Sequence, residues 1–142
     1  MRNFSITVFR SNPIVSFSIS MTQYRSPEEY ESRLKDEPHG WMNEQIDTYS
    51  YGNTIYVLLT GLWPFYSTDD EVVKKKVMNG TRPYVDPRWR TQGFLESKLV
   101  EVMEQCWRQD PDERISIFEV VRQLRDVKKE YYEKHKTIET PK

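Results

Sequence analysis

The second half of the chain carries two helical stripes of apolar residues. The spacing i, i+3, i+4, i+7, i+8 predicts an amphipathic helix over residues 96–107, which Asp110 and Pro111 end. Its apolar face consists of Leu99, Val102, Met103, Cys106 and Trp107. A Ser116/Glu119 capping box then predicts a last helix. The core stripe of that helix consists of Ile117, Val120, Val121, Leu124 and Val127.

The middle of the chain is predicted to contain the central helix of the fold. Residues 46–61 are apolar almost all round in their second half. A helix without a polar face is buried on all sides, so we expect this one to lie at the centre of the molecule. Thr68 and Glu71 have capping-box spacing and predict a further helix through about Met78, stopped by Asn79 and Gly80.

The stretch YRSPEEY, residues 24–30, contains a helix start and three residues that a helix start does not explain. Ser26 suits an N-cap, Pro27 suits the first helical position, and Glu29 has the spacing that closes a capping box. Tyr24, Arg25 and Glu28 are left over. Another role must account for them.

The two ends of the chain differ in composition from its middle. Residues 1–20 contain two arginines, five serines and no acidic residue, and we expect a loose tail or one weak strand there. From Tyr131 to the end the sequence is polar, and we expect a frayed tail over 131–142. The sequence contains no internal repeat and predicts no sheet, so the fold class is mainly α.

Composition excludes several classes of partner and site. With 142 residues, 37% of them hydrophobic, the chain has the length of one domain with a modest core. A net charge of -1 predicts neither a nucleic-acid nor a membrane partner, and the Lys74-Lys75-Lys76 run reads as a solvated helix face. His39 and His135 lack cysteine partners at ligand spacing, so no metal site is predicted.

The single cysteine bears on the compartment. Cys106 cannot form an intramolecular disulfide, which argues against a small secreted scaffold and favours a reducing compartment, the cytoplasm. No stretch approaches the roughly 18 to 20 consecutive apolar residues of a membrane span. We therefore expect a cytoplasmic protein without a membrane span.

Four segments in register, from Tyr24 to about Val127, resemble the C-terminal half of a eukaryotic protein kinase domain. YRSPEEY resembles the Ala-Pro-Glu motif that closes the activation segment, with Ser26 in place of Ala. DTYSYGNTIYVLLTGLWPF resembles the central F helix with its Pro-Phe turn. EVVKKKVMNGTRP resembles the G helix, and CWRQDPDERISIFEVVRQL resembles the H helix, loop and I helix. The resemblance implies a partial kinase C-terminal lobe over residues 21–130, built around a central buried helix.

The resemblance also assigns structural roles. It implies that Glu28 pairs with Arg114, a buried pair that locks two distant segments together. It places Asp47 at the start of the central helix, where the family uses this residue to hold the catalytic loop. The complete set of motif residues is Pro27, Glu28, Asp47, Gly52, Trp107 and Arg114. Two positions depart from the family: Met21 stands where Thr is frequent, with Thr22 one place off, and Ile115 stands where Pro is usual.

The motifs that perform phosphoryl transfer are missing from the sequence. Transfer needs a Gly-rich loop and a lysine on the phosphates, an aspartate near the attacking hydroxyl, and magnesium ligands. No Gly-x-Gly-x-x-Gly, Asp-Phe-Gly or His-Arg-Asp occurs. The resemblance implies ATP and Mg²⁺ as cofactors of a full-length relative, whereas this chain is predicted to be inactive, with no catalytic, cofactor-binding or metal-binding residue.

Three interpretations of this partial, pseudokinase-like chain stay open. It is a truncated product of a true kinase, with Ser/Thr specificity preferred over Tyr; or a shortened, non-catalytic binding or scaffold module; or an unrelated helical protein. The resemblance implies that one side of the central helix lacks its usual cover, and we expect Asp47 to turn toward water. We therefore expect a protein partner or self-association at that helix, unless residues 1–20 cover it.

Overall fold

The structure, a computed structural model, describes residues 21–34 and 43–136. Over these ranges the chain forms five α-helices and contains no strand. The α-helices are α1 (Pro27–Leu34), α2 (Glu44–Thr60), α3 (Asp70–Met78), α4 (Phe94–Cys106) and α5 (Ile117–Lys136). Short 3-10 helices occupy Met21–Tyr24, Pro87–Arg90 and Pro111–Glu113. The expectation of a mainly α fold is confirmed.

Some expectations fall outside the described residues. The loose tail or weak strand of residues 1–20, His39, and the last six positions of the chain belong to this group. The domain boundaries at residues 20/21 and 130/131 stay predictions.

Helix α2 lies at the centre of the packing, as its apolar sequence predicts. It packs mainly against α4 and also against α5 and the 3-10 helix Met21–Tyr24. Tyr49 and Ile55 of α2 are each 1% exposed, and they join one continuous core with residues of α3, α4 and α5. That core includes Val73, Val77, Val100, Val102, Met103, Cys106, Trp107 and Val120.

The helix ends follow the predicted capping residues with two differences. Helix α1 begins at Pro27, and the Glu29 carboxylate accepts the Ser26 backbone N–H at 2.8 Å. The predicted Thr68/Glu71 box is wrong: the N-cap of α3 is Asp69, whose carboxylate accepts the Glu71 N–H at 3.0 Å. The Thr68 N–H instead bonds the Phe65 carbonyl in the preceding turn, which leaves the cap position to the next residue.

The cap of α5 is half of a capping box. Ser116 Oγ accepts the Glu119 N–H at 3.2 Å, as predicted. The Glu119 carboxylate, however, pairs with Arg122 on the next turn. An i, i+3 ion pair on the exposed surface thus replaces the second bond of the box.

Helix α5 continues to Lys136, six residues into the segment expected to be a frayed tail. Three contacts support the extra turns. Glu130 pairs with Lys134, the Tyr131 and His135 rings stack at 4.1 Å, and the Lys134 ammonium lies 3.6 Å from the centroid of the Phe94 ring on α4. The two i, i+4 pairs and the contact with Phe94 were not predicted, because the composition of this segment is polar.

Candidate functional site

An ion pair between Glu28 and Arg114 joins the start of α1 to the loop before α5. The Arg114 guanidinium holds the carboxylate with two bonds, Nη1 to Oε1 at 2.6 Å and Nη2 to Oε2 at 3.1 Å. Of the ion pairs that join described residues, it spans the longest stretch of sequence, 86 residues. The structure therefore brings together the two charges that the family resemblance pairs.

The Arg114 side chain is fully buried and uses all of its hydrogen-bond donors. Besides Glu28, it donates to the Gln45 carbonyl of α2 at 2.6 Å and twice to the Arg108 carbonyl, at 3.2 and 3.1 Å. A guanidinium has five N–H donors, and these five bonds satisfy them. Arg114 consequently fastens α1, α2 and the end of α4 to one point.

An aromatic ring lies under this cationic group. The Arg114 guanidinium is 5.2 Å from the centroid of the Tyr49 ring, and the Arg82 guanidinium is 5.1 Å from the same centroid. Burial raises the pKa of Tyr49 to about 12, against the lowering effect of the two arginines. The ring is therefore neutral and offers its π face to both cations.

Gly52 sets the distance between α2 and α4. A Cβ atom at this position would lie 2.7 Å from Trp107 Cδ1, 2.8 Å from Trp107 Nε1 and 2.9 Å from Cys106 Cβ. The indole occupies the space that any larger residue would need. Gly52 and Trp107 are thus one packing unit, and both are buried.

The two remaining motif residues have different environments. Pro27 is buried at the first position of α1, where its missing N–H costs nothing. Asp47 lies in the first turn of α2 and is exposed to solvent. Its side chain does not join the Glu28–Arg114 group, in agreement with the expectation that Asp47 turns toward water.

Arg82 belongs to this group, although it is not among the site residues predicted from the sequence. Its Nε donates to the Trp107 carbonyl at 2.9 Å and its Nη2 donates to Gln109 Oε1 at 2.6 Å. Burial lowers the pKa of Arg82 from its usual range. One sequence feature could have indicated Arg82. It comes directly after the Asn79-Gly80-Thr81 helix exit, where the chain turns back toward α4.

Segments before α1 are also tied to the helices. Ser50 Oγ of α2 donates to the Tyr24 carbonyl at 3.1 Å, and Thr22 Oγ1 donates to Asp70 Oδ1 of α3 at 2.7 Å. Tyr24 also makes an edge-to-face contact with Trp63, with centroids 6.1 Å apart. These bonds give Tyr24, one of the residues that a helix start does not explain, a structural role.

One side of α2 is uncovered in the described part of the chain. Leu58 is 76% exposed although its neighbours Ile55 and Tyr56 are buried. In the turn that follows α2, Leu62, Trp63 and Tyr66 are also exposed. We call these four residues the α2 face.

Neither a metal site nor a reactive thiol is found among the described residues. They contain no cluster of His, Cys, Asp and Glu side chains able to hold a metal ion. Burial raises the pKa of the Cys106 thiol to about 12, so it carries almost no thiolate at neutral pH. Among the helices of residues 21–34 and 43–136, none has the length and apolar character to cross a membrane. The site is a structural junction.

Comparison with known proteins identifies a family whose profile this chain matches. The sequence profile described as "Protein kinase domain" matches residues 7–124. Atrial natriuretic peptide receptor 2 of Homo sapiens is 40% identical over 76 residues, which is 50% of this chain and 7% of the receptor. Serine/threonine-protein kinase STY46 of Arabidopsis thaliana is 30% identical over 93 residues, 65% of this chain and 15% of the kinase.

A third relative covers nearly all of the chain. Dual specificity protein kinase pyk3 of Dictyostelium discoideum is 25% identical over 130 residues, 91% of this chain. The match covers 9% of pyk3. The chain thus spans only a small part of the length of each of these three relatives.

Proposed function

Because this chain belongs to the protein kinase domain family, we propose that it serves as the C-terminal-lobe part of a kinase that transfers phosphate from ATP to protein side chains. The Glu28–Arg114 pair carries the proposal. It joins the Pro-Glu segment to the loop before the last helix, as the family resemblance implies, with both bonds of a bidentate pair in place. The pair fixes α1 relative to the loop before α5.

Serine and threonine are the proposed acceptors. Tyr24 followed by Arg25 resembles serine/threonine kinases more than tyrosine kinases, which tend to have Trp at the first of these positions. STY46 is a serine/threonine-protein kinase by name, which supports this preference, and pyk3 is a dual specificity protein kinase by name. The segment CWRQDP, in contrast, resembles tyrosine-kinase-like groups.

We further propose that this chain by itself transfers no phosphate. The sequence has no Gly-x-Gly-x-x-Gly, Asp-Phe-Gly or His-Arg-Asp segment, and these segments hold the phosphates, Mg²⁺ and the attacking hydroxyl in the family. ATP and Mg²⁺ would bind to elements supplied from outside the chain. Cytoplasmic location is part of the proposal and rests on the single cysteine.

Genomic sequence tests the kinase assignment. Translation of the DNA upstream of the Met21 codon in all frames should give Asp-Phe-Gly and His-Arg-Asp segments at the spacing of a kinase domain. If the upstream DNA encodes neither segment, the phosphotransfer assignment is wrong and the second candidate function replaces it.

The second candidate is a non-catalytic binding or scaffold module, and the α2 face favours it. Leu58 is exposed in the last turn of α2, and Leu62, Trp63 and Tyr66 are exposed shortly after it; a large exposed apolar patch would mark a partner site. The occupant would be another protein or a second copy of this chain.

Charge placed on the α2 face tests the second candidate. Leu58→Glu should reduce self-association in sedimentation velocity and lower the binding of a hydrophobic dye. Phe118→Glu on α5 is the matched control, because Phe118 is 77% exposed against 76% for Leu58. Equal effects of the two variants, or no effect of Leu58→Glu, would contradict a role for this face.

A further inference from the structure

A cleft separates the segment after α3 from the C-terminal half of α4. It has a volume of about 680 Å³. Arg82, Pro83, Tyr84 and Val85 line one side, and Glu104 and Arg108 of the α4 segment line the other. The cleft lies apart from the α2 face and shares none of its residues.

The carboxylates in the cleft are already paired. Glu104 receives a bidentate contact from Arg90, with Nη1 to Oε2 at 2.9 Å. Glu101 receives the Lys98 ammonium at 2.8 Å. The hydrogen bond from Arg90, and the charges of Arg90 and Arg108, hold the pKa of Glu104 below its usual range. Both glutamates are therefore neutralised by neighbouring cations.

Arg82 and Arg108 have no carboxylate as an ion-pair partner among the described residues. The Arg82 donors are used on carbonyl and amide oxygens, which do not cancel its charge. The Arg108 guanidinium is exposed, and within the described residues it has no hydrogen-bond or ion-pair partner. Arg108 has donors arranged in a fork that matches a carboxylate. Arg108, whose charge acts on Glu104 without forming an ion pair, thus keeps its donors for an anionic group.

Apolar side chains also line the cleft. Tyr84 is 76% exposed, yet its backbone is fixed because its carbonyl accepts the Tyr56 hydroxyl at 3.2 Å. Buried Pro83 adjoins it, and Trp107, which is 5% exposed, also lines the cleft. An exposed aromatic ring on a fixed backbone offers contact area at little entropic cost.

We propose that this cleft binds an acidic segment of a partner protein, with a carboxylate on Arg108 and an apolar side chain against Tyr84. The combination of an unpaired guanidinium and an exposed ring in the lining of one cleft selects a ligand with both chemistries. A nucleic acid would need several free cations for successive phosphates, whereas Arg90 and Lys98 are already paired with the two glutamates. The proposal is independent of kinase activity.

A labelled peptide tests the proposal on the full chain. Fluorescence anisotropy with fluorescein-labelled Glu-Glu-Phe-Glu-Glu should show binding that weakens as salt is added. Arg108→Glu and Tyr84→Ser should each weaken binding by about threefold to tenfold. Both side chains are exposed, so neither change threatens the fold. Arg125→Glu on α5, an exposed arginine outside the cleft, should leave the affinity unchanged.

Control probes separate the two parts of the site. Lys-Lys-Phe-Lys-Lys should not bind, and Glu-Glu-Ser-Glu-Glu should bind the unmodified chain as weakly as Glu-Glu-Phe-Glu-Glu binds the Tyr84→Ser variant. Three results would overturn the proposal. They are no binding of the acidic peptide, equal binding to the Arg108→Glu and Arg125→Glu variants, and equal or tighter binding of a single-stranded oligonucleotide at the same residues.

Discussion

Removal of either partner of the Glu28–Arg114 pair should destabilise the fold more than any change on the surface. Arg114→Ala removes five hydrogen bonds and leaves the Glu28 carboxylate and the Gln45 and Arg108 carbonyls without their donor. Glu28→Ala leaves a buried guanidinium with three carbonyl bonds and no counter-charge. A charge stranded in this way is costly.

The expected magnitude follows from burial. Breaking a buried pair costs about 3 to 5 kcal/mol. The Arg114 side chain is fully buried, whereas Glu28 is 20% exposed. Both variants should therefore cost about 3 to 5 kcal/mol: Glu28→Ala leaves a fully buried guanidinium without a counter-charge, whereas Arg114→Ala leaves a partly exposed carboxylate but removes five hydrogen bonds. The double variant should cost less than the sum, with a coupling of about 1 to 3 kcal/mol.

Urea denaturation followed by far-UV circular dichroism measures the cycle. The exposed Arg90–Glu104 pair is the control, and its coupling should stay below about 1 kcal/mol because solvent screens it. If an alanine variant does not fold, Arg114→Lys and Glu28→Gln give a gentler cycle, since they remove the fork or the charge alone. A coupling no larger than that of the control pair would refute the reasoning.

Three further results are expected. Gly52→Ala should lower the free energy of unfolding by about 1 to 3 kcal/mol, because the new methyl group overlaps the indole against α2; Gly93→Ala, which meets only the flexible Glu96 side chain, should cost clearly less in the same melt. Cys106 should react with a thiol reagent at pH 8 only after unfolding, since burial raises its pKa to about 12; rapid labelling of the folded chain would contradict its burial. Asp69→Ala should cost about 0.5 to 2 kcal/mol by thermal melting, whereas Thr68→Ala should stay within about 0.5 kcal/mol; the reverse order would place the cap of α3 at Thr68.

The helices of this fold could be predicted from the sequence because each has its own periodicity and punctuation. The α4 stripe placed Val102, Met103 and Cys106 in the core, where they are at most 2% exposed. The sequence distinguishes less well between two neighbouring residues that can both cap a helix. Both Thr68 and Asp69 can cap a helix, and only the turn at Phe65 selects Asp69.

The site could not be predicted from local sequence patterns, because it depends on tertiary contacts. The Glu28–Arg114 pair came from the family resemblance, since no local pattern joins residues 86 positions apart. The position of Arg82 against Tyr49 depends on how α3 returns to α4, which periodicity does not reveal. Val121 fits the α5 stripe by spacing yet is 41% exposed, because the apolar stripe is wider than the surface that α4 and α2 cover.

Nucleotide binding by the purified chain is the most direct test of the account. Thermal unfolding should be recorded with Mg²⁺ alone and with Mg²⁺ and ATP over a range of concentrations. The account predicts the same midpoint in both series, because the chain carries none of the motifs that hold phosphate or Mg²⁺ in the family. A midpoint that rises with ATP concentration, as binding to the native state requires, would contradict it.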